Sequence, residues 1–436
     1  MDRNTERYLR HKTHFERWPL NGHITRPIKN VIVIPCIREY PGLFKTLDDI
    51  ANAHEAESSV VIVVINNRQN VSTEDLFENK ETLGELQKWD HEKLNVCWVD
   101  ASSVGNELPN QEGVGMARKI GLDWALKLLA ERNQLQSPLV NLDGDTRVEK
   151  TYLKAINEFF ENEKRWGAVI ACAHQIHGPK QQRAATLCYE FSMRYYADYL
   201  AWANSPYGYH SIGSAMACTG YAYTAISGMN RRLAGEDFYF LQQLTKTGKV
   251  ERLSGTTVYP SNRISRRTPF GTGQRIERFL INQQEEYELY APEIFSVIKN
   301  WMNTVNSNPR LSSADLLKIA NRIEPLLKDF LLDIDFEKKW SVFRSQNKKE
   351  SGIIKQFHQW FDGLRTLRLV HYLRDNAWEN KPMFEAIKTF IHQNDLIPVV
   401  DVSGRIKEDL HSQELLLQQL RSIYERRSQP KKQAKH

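Results

Sequence analysis

Two carboxylates separated by one glycine, Asp143 and Asp145, lie in the stretch Leu139-Val140-Asn141-Leu142-Asp143-Gly144-Asp145-Thr146. Their apolar lead reads as the end of a buried strand, with Pro138 ahead of it and Gly144 where the chain turns. Hard oxygen ligands at the carboxyl end of a strand can hold a divalent cation and leave coordination sites open for a diphosphate. A polar turn after a core strand is the plainer reading. A second acidic pair, Glu236-Asp237, follows Gly235 and opens an amphipathic stretch through Leu241 and Leu244. The helix dipole favours acidic residues in a first turn, so capping alone can account for that pair. A third cluster, Tyr259 to Gly273, sets Arg263, Arg266 and Arg267 among hydroxyls and glycines. Such a mixture suits a loop that closes over phosphates through charge-assisted hydrogen bonds, and a solvated basic loop is its alternative.

These residues are positioned by alternating strands and helices. Val31–Ile34 reads as a short buried strand ended by Pro35, and Leu43, Leu47 and Ile50 follow at helical spacing. Val60 to Ile65 is a second strand stopped by Asn66-Asn67, and Val96 to Val99 a third ended by Asp100. Gly113 to Lys119 leads into an amphipathic helix through Leu129. A glycine-rich turn there can approach phosphates, although Arg118 stands where a dinucleotide fingerprint would have its third glycine. Tyr152 to Phe160 gives a helix, and Gly167 to Ala173 a strand. Residues 186–203 carry an aromatic stripe that reads as core, and Pro206 to His210 reads as a loop exposing aromatic and imidazole groups. This alternation argues for an α/β fold with a mainly parallel, doubly wound sheet.

The 436 residues are enough for two or three domains, and 41% hydrophobic with 26% charged residues is ordinary for a soluble globular chain. Residues 1–30 are too polar for a signal peptide, and no apolar run reaches membrane-spanning length, so a cytoplasmic location is expected. Five scattered cysteines without C-x-x-C spacing suggest reduced core thiols rather than disulfides or zinc. The net charge of +6 is modest, gives no reason to expect nucleic acid as a partner, and is concentrated near the chain end. That end reads as a solvated basic tail, with peripheral contact to an anionic membrane face as its alternative.

In their order, strand-Pro35 to Glu39, strand-Asn66-Asn67, Gly113 to Gly121 with Ala117-Arg118, Asp143-Gly144-Asp145, Gly213 to Gly220 and Gly235-Glu236-Asp237 resemble the family 2 glycosyltransferases. The match covers roughly residues 29–270. It implies the GT-A fold, a Rossmann-like, mainly parallel central sheet with flanking helices, here followed by an all-helical C-terminal region. The expected divisions are an N-terminal extension 1–28, a GT-A domain 29–285, a helical domain 286–427 and a basic tail 428–436.

The resemblance implies inverting transfer of a sugar from a nucleotide-diphospho-sugar, with a UDP-sugar favoured, to a hydroxyl of a glycan or small acceptor. Cell-envelope or polysaccharide glycan synthesis is the implied setting, and a homo-oligomer is open. Pro35, Ile37, Glu39 and Asn66 would line the base and ribose cleft, with Arg118, Asp143, Arg263 and Arg266 also toward the donor. Mg2+ or Mn2+ would sit at Asp145, with Asp143 meeting the ribose or a metal-bound water. Asp237 falls where the family has its general base, with Glu236 beside it orienting the acceptor.

The chain departs from the family pattern at Arg38, usually Asn, and at Asn66-Asn67, usually an Asp pair. An asparagine amide can still accept from and donate to a base. Where related enzymes supply a metal-binding His, this chain has none, and Asn262 or water would substitute. A retaining transferase, a nucleotidyltransferase of the same fold and a non-catalytic nucleotide-sugar binder stay open. After about residue 286, helical faces are expected at Leu316 to Phe330, Phe357 to Leu367 and Ile406 to Tyr424, with Ser312 and Asp315 forming a capping box.

Overall fold

The structure is a computed structural model that describes residues 2–264, 272–281, 286–402 and 404–428. Helix α1 (Arg3–His11) comes first, followed by β1 (Asn30–Cys36), α2 (Gly42–Ala51), β2 (Ser59–Asn66), α3 (Thr73–Leu86) and β3 (Asn95–Ala101). Then come α4 (Val114–Glu131), β4 (Pro138–Asn141), β5 (Arg147–Val148), α5 (Tyr152–Phe160), β6 (Gly167–Cys172) and α6 (Lys180–Trp202). The chain continues through β7 (Met216–Thr219), α7 (Gly220–Ala225), α8 (Glu236–Thr247), β8 (Val250–Tyr259) and α9 (Thr272–Leu280). A two-residue strand β9 (Glu288–Leu289) precedes α10 (Pro292–Ser307), α11 (Ser313–Ile323), α12 (Pro325–Asp333), α13 (Phe336–Gln346), α14 (Glu350–Trp360) and α15 (Gly363–Asn376). Strand β10 (Lys381–Pro382), α16 (Met383–His392) and α17 (Leu410–Ser428) complete the order.

The chain separates into an α/β unit of Met1–His177 and Ser211–Glu277 and a helical unit of Gly178–His210 and Arg278–Tyr424. In the α/β unit the eight strands run in the order β3-β2-β1-β4-β7-β6-β8-β5. Pairs β1–β2, β2–β3, β1–β4 and β6–β8 are parallel, while β7 is antiparallel to both β4 and β6, and β5 is antiparallel to β8. The fold is thus the expected mainly parallel α/β sheet with flanking helices. β1 and β2 are buried at every residue, as parallel strands covered on both faces must be, and this is why they read as continuous apolar runs.

β1 runs through Pro35 rather than stopping at it. The Val33 carbonyl accepts from Leu142 N–H, so Pro35, two residues on, turns its backbone toward the same side. There β4 pairing has already ended at Val33–Asn141, and the missing N–H of Pro35 costs no ladder bond. β1 winds to β2 and β3 on one side and meets β4 on the other, so the carboxyl ends of β1 and β4 flank the switch point where such sheets bind ligands.

Residues 1–28, expected as an N-terminal extension, contain α1, whose N-cap Asp2 accepts from Asn4 and Thr5 N–H. Tyr8 of α1 enters a buried polar cluster. Its hydroxyl donates to Asp123 Oδ1 at 2.7 Å, Lys119 Nζ donates to Tyr8 Oη at 2.7 Å and to Asp123 Oδ2 at 2.8 Å, and the Tyr223 hydroxyl donates to Asp123 Oδ1. α1 is thereby fastened to α4.

In the helical unit, the α6 stripe Phe191, Tyr195 and Tyr199 packs on Phe384, Phe295 and Phe390. The loop expected to expose Tyr207 and His210 instead buries both. The Tyr207 hydroxyl donates to the His358 carbonyl, and Gly208 lies so close to Ala201 that any side chain there would strike its backbone. The face from Leu316 to Phe330 is split between α11 and α12, because Pro325 cannot continue a helix and restarts it at the first position. Ser312 caps α11 through Asp315 N–H as expected. The five cysteines are buried, and no disulfide joins them. No helix among the described residues is long and apolar enough to cross a membrane.

Candidate active site

β4 ends at Asn141, and the next four residues carry both carboxylates into the switch-point region. Gly144 lets the turn press against the first loop: a Cβ there would lie 3.1 Å from Glu39 Cγ, and the Gly144 carbonyl accepts from Thr46 Oγ1. Asp143 and Asp145 are both partly exposed at this edge.

Arg118 links this turn to the second acidic pair. It lies in α4 with its side chain only 3% exposed. Its Nη2 donates to Asp143 Oδ1 at 2.6 Å and its Nε to Glu236 Oε1 at 3.2 Å. The remaining nitrogen, Nη1, is buried without a hydrogen-bond partner. Gly213 is required here, since a Cβ would lie 2.2 Å from Arg118 Nη2. A Cβ at Gly115 would lie 2.7 Å from the Asn230 and Arg232 carbonyl oxygens, and Asn230 Nδ2 donates to the Glu236 carbonyl, which ties the start of α8 to α4.

Gly235 is the N-cap of α8, in the left-handed region at φ 70°, and makes no side-chain cap. Asp237 is therefore not the capping residue, although its Oδ1 accepts from Phe238 N–H at 2.7 Å. Burial, and then the adjacent Glu236 charge, push its carboxyl up from 3.8 to about 7, against the pull of Arg118. Such a group exchanges a proton near neutral pH, as a general base must.

On the other side, Arg263 Nη2 donates to both Glu39 oxygens at 2.8 and 2.7 Å, and to Asp145 Oδ2 at 3.3 Å. Glu39 is nearly buried and follows β1 through Pro35 and half-buried Ile37. Asn262, suggested as a metal ligand, is fully buried with its amide nitrogen donating to the His177 carbonyl; its neighbour Arg263 is the residue that meets Asp145. Arg266 lies outside the described residues.

At the end of β2, Asn66 Oδ1 is buried without a partner. Asn79 of α3, which sequence reasoning missed, connects the cleft: its Oδ1 accepts from Arg38 N–H, and its Nδ2 donates to Asn67 Oδ1 at 2.9 Å. Nothing in the polar run around Asn79 marks it. Arg38 holds a left-handed backbone, φ 52°, in which asparagine is enriched, and its guanidinium turns away to Glu74, Asp75 and Glu78.

The donor set at Asp143 and Asp145 is all carboxylate oxygen, partly open to solvent, and fits Mg2+ or Mn2+ rather than a thiophilic metal.

No protein-family model matches this chain, and no curated protein matches it significantly. Among solved structures it is similar to residues 1–349 of S. aureus TarS in complex with UDP-GlcNAc, at 14% identity and a TM-score of 0.39, covering 77% of this chain and 91% of that one. It is also similar to the mannosyltransferase PcManGT from Pyrobaculum calidifontis in complex with GDP-Man and Mn2+, at 12% identity and a TM-score of 0.35, covering 98% and 93%. Overlays this loose carry no chemistry from those proteins to this one.

Proposed function

We propose that the chain is an inverting glycosyltransferase that uses a nucleotide-diphospho-sugar and a divalent cation. The observation that carries this reading is the Arg118 guanidinium, which ties Asp143 of the Asp-x-Asp turn to Glu236, the neighbour of Asp237. One buried cation thus joins the segment suited to a diphosphate with the segment suited to proton transfer.

In this reading Asn66 and the Pro35–Glu39 loop receive the nucleoside, the orphaned Asn66 oxygen accepting from a base N–H. Asp145, with Asp143, would hold the cation, which when bound would offset the negative charge that builds on the departing diphosphate. Arg118 keeps Asp143 in place. Asp237 takes the proton of the acceptor hydroxyl as that oxygen attacks the anomeric carbon from the face opposite the diphosphate. Glu236, held by Arg118, sits beside it and raises its basicity.

A thermal-shift screen of nucleoside diphosphates and their sugars, with and without Mn2+, tests the reading. One nucleotide should stabilise the chain selectively and only with the metal, by about 2.7 kcal/mol at a hundredfold excess over its Kd. With the matching sugar donor, the released product should be the nucleoside diphosphate. Metal-independent stabilisation, or release of pyrophosphate, would defeat it.

A further inference from the structure

A single guanidinium nitrogen gathers three carboxylate oxygens from two separate segments: Arg263 Nη2 contacts both oxygens of Glu39, after β1, and Oδ2 of Asp145, after β4. Arg118 and Arg263 are held very differently. Arg118 is 3% exposed and wedged against Gly213, whereas the Arg263 side chain is 41% exposed, with its main-chain N–H resting on Ser261 Oγ. Arg118 is fixed in the interior. Arg263 can leave its partners at little packing cost.

The charges make its position consequential. Among the described residues, Arg118 is paired with Asp143 and Glu236 next to Asp237, and Arg263 with Glu39 and Asp145. Removing Arg263 without replacement takes its positive charge from the nearly buried Glu39 and from Asp145, which is costly. A divalent cation on Asp145 restores that charge, but beside an arginine it is repulsive. The freed guanidinium then needs an anion, and a planar fork of donors suits the paired oxygens of a diphosphate.

We propose that Arg263 is a displaceable counter-cation. Without a divalent ion it neutralises Glu39 and Asp145; when the ion takes Asp145, Arg263 is released and turns to the diphosphate of the donor. The inference rests on reading Asp143 and Asp145 as a cation and diphosphate site. It makes metal and nucleotide binding mutually reinforcing: the metal alone must evict Arg263, while metal and nucleotide together give it a new partner. By linkage, each ligand then raises the affinity for the other by the same factor.

The test titrates the nucleotide-free chain with MnCl2, reading free Mn2+ by electron paramagnetic resonance, and repeats the titration with saturating UDP and, separately, GDP. Arg263→Gln should bind Mn2+ alone about tenfold more tightly than the wild type, within the usual range of coupling, and the gain in Mn2+ affinity caused by the better nucleotide should shrink by a similar factor. Arg263→Lys, which keeps the charge, should stay nearer the wild type. Unchanged or weaker Mn2+ binding in Arg263→Gln overturns the proposal, as does an undiminished nucleotide effect. Equal shifts in the Gln and Lys variants also overturn it, because lost packing would then explain them. Asp145→Ala separates this failure from failure of the underlying reading. If it binds Mn2+ like the wild type, the cation site itself is wrong; if it loses Mn2+ while Arg263→Gln matches the wild type, only the counter-cation role falls.

Discussion

Asp237→Asn keeps the shape and hydrogen-bonding reach of the side chain while removing its basicity, and the surroundings of Asp237 predict two separate responses. The first is kinetic. General-base contributions of about 10²–10⁴-fold set the expected loss of turnover, or about 3–5 kcal/mol of transition-state stabilisation. The wild-type kcat/KM should climb with pH through an apparent value near 7, where the half-buried carboxyl loses its proton, and the variant should lack that limb. The second response is thermodynamic. The folded-state carboxyl titrates near 7 and the unfolded one near 3.8, so the folded chain holds the extra proton between those values. Its contribution to stability is complete below about 3.8 and is lost as the pH rises through 7. The full loss across that window is about 4 kcal/mol at most. Asparagine cannot titrate, so the variant's Tm should rise relative to the wild type between about pH 4 and 7 and level off above. Steady-state transfer assays and melting curves on the same two proteins measure both. Near-normal turnover in the variant, or a wild-type rate that is flat through pH 7, refutes the assignment of Asp237 as base.

Asp145→Ala should abolish the metal-dependent part of nucleotide affinity, measured calorimetrically with and without Mn2+; an unchanged metal dependence would remove Asp145 from the site. Arg118→Met strands the buried Glu236 carboxylate and releases Asp143, at a cost of about 3–5 kcal/mol in urea unfolding. Tyr8→Phe removes a hydroxyl that both donates to Asp123 and accepts from Lys119, and should destabilise the α/β unit by about 1–3 kcal/mol, read from its unfolding midpoint.

The strands that flank the site were legible because parallel strands buried on both faces leave uninterrupted β-branched runs, as in Val31–Ile34 and Val60–Ile65. The Asp-x-Asp turn and the Gly235-Glu236-Asp237 segment were legible as local patterns. Their joining through Arg118 was not, since a contact between a helix, a strand end and a second helix start has no local signature. β7 was hidden in Gly213 to Gly220, whose small residues look like turn material but form the strand that pairs with both β4 and β6. β8 buries Val250, Leu253, Thr256 and Val258, a spacing broken by the register shift opposite Ile170 and Ala171, and its Ser, Gly and Thr residues further masked it. Tyr207 and His210 were read as exposed because turn-formers surround them, and composition cannot report that Gly208 lets the loop collapse onto α6.

The helical unit is assembled from two stretches separated along the chain, and this has a consequence for biosynthesis. α6 leaves the ribosome well before the helices that cover its aromatic stripe: Tyr199 must wait for Phe295 and Phe390. At ~5–20 residues per second, the interval from Tyr199 to Phe390 is about 10–40 s, during which Phe191, Tyr195 and Tyr199 lack the native cover that Phe295, Phe384 and Phe390 later supply. The strands β7 and β8 are made within this interval, so the α/β sheet can close while α6 is still waiting. Nascent chains of this protein are therefore expected to engage holdase chaperones with α6 as the exposed element, and stalling synthesis near residue 285 should trap that bound state.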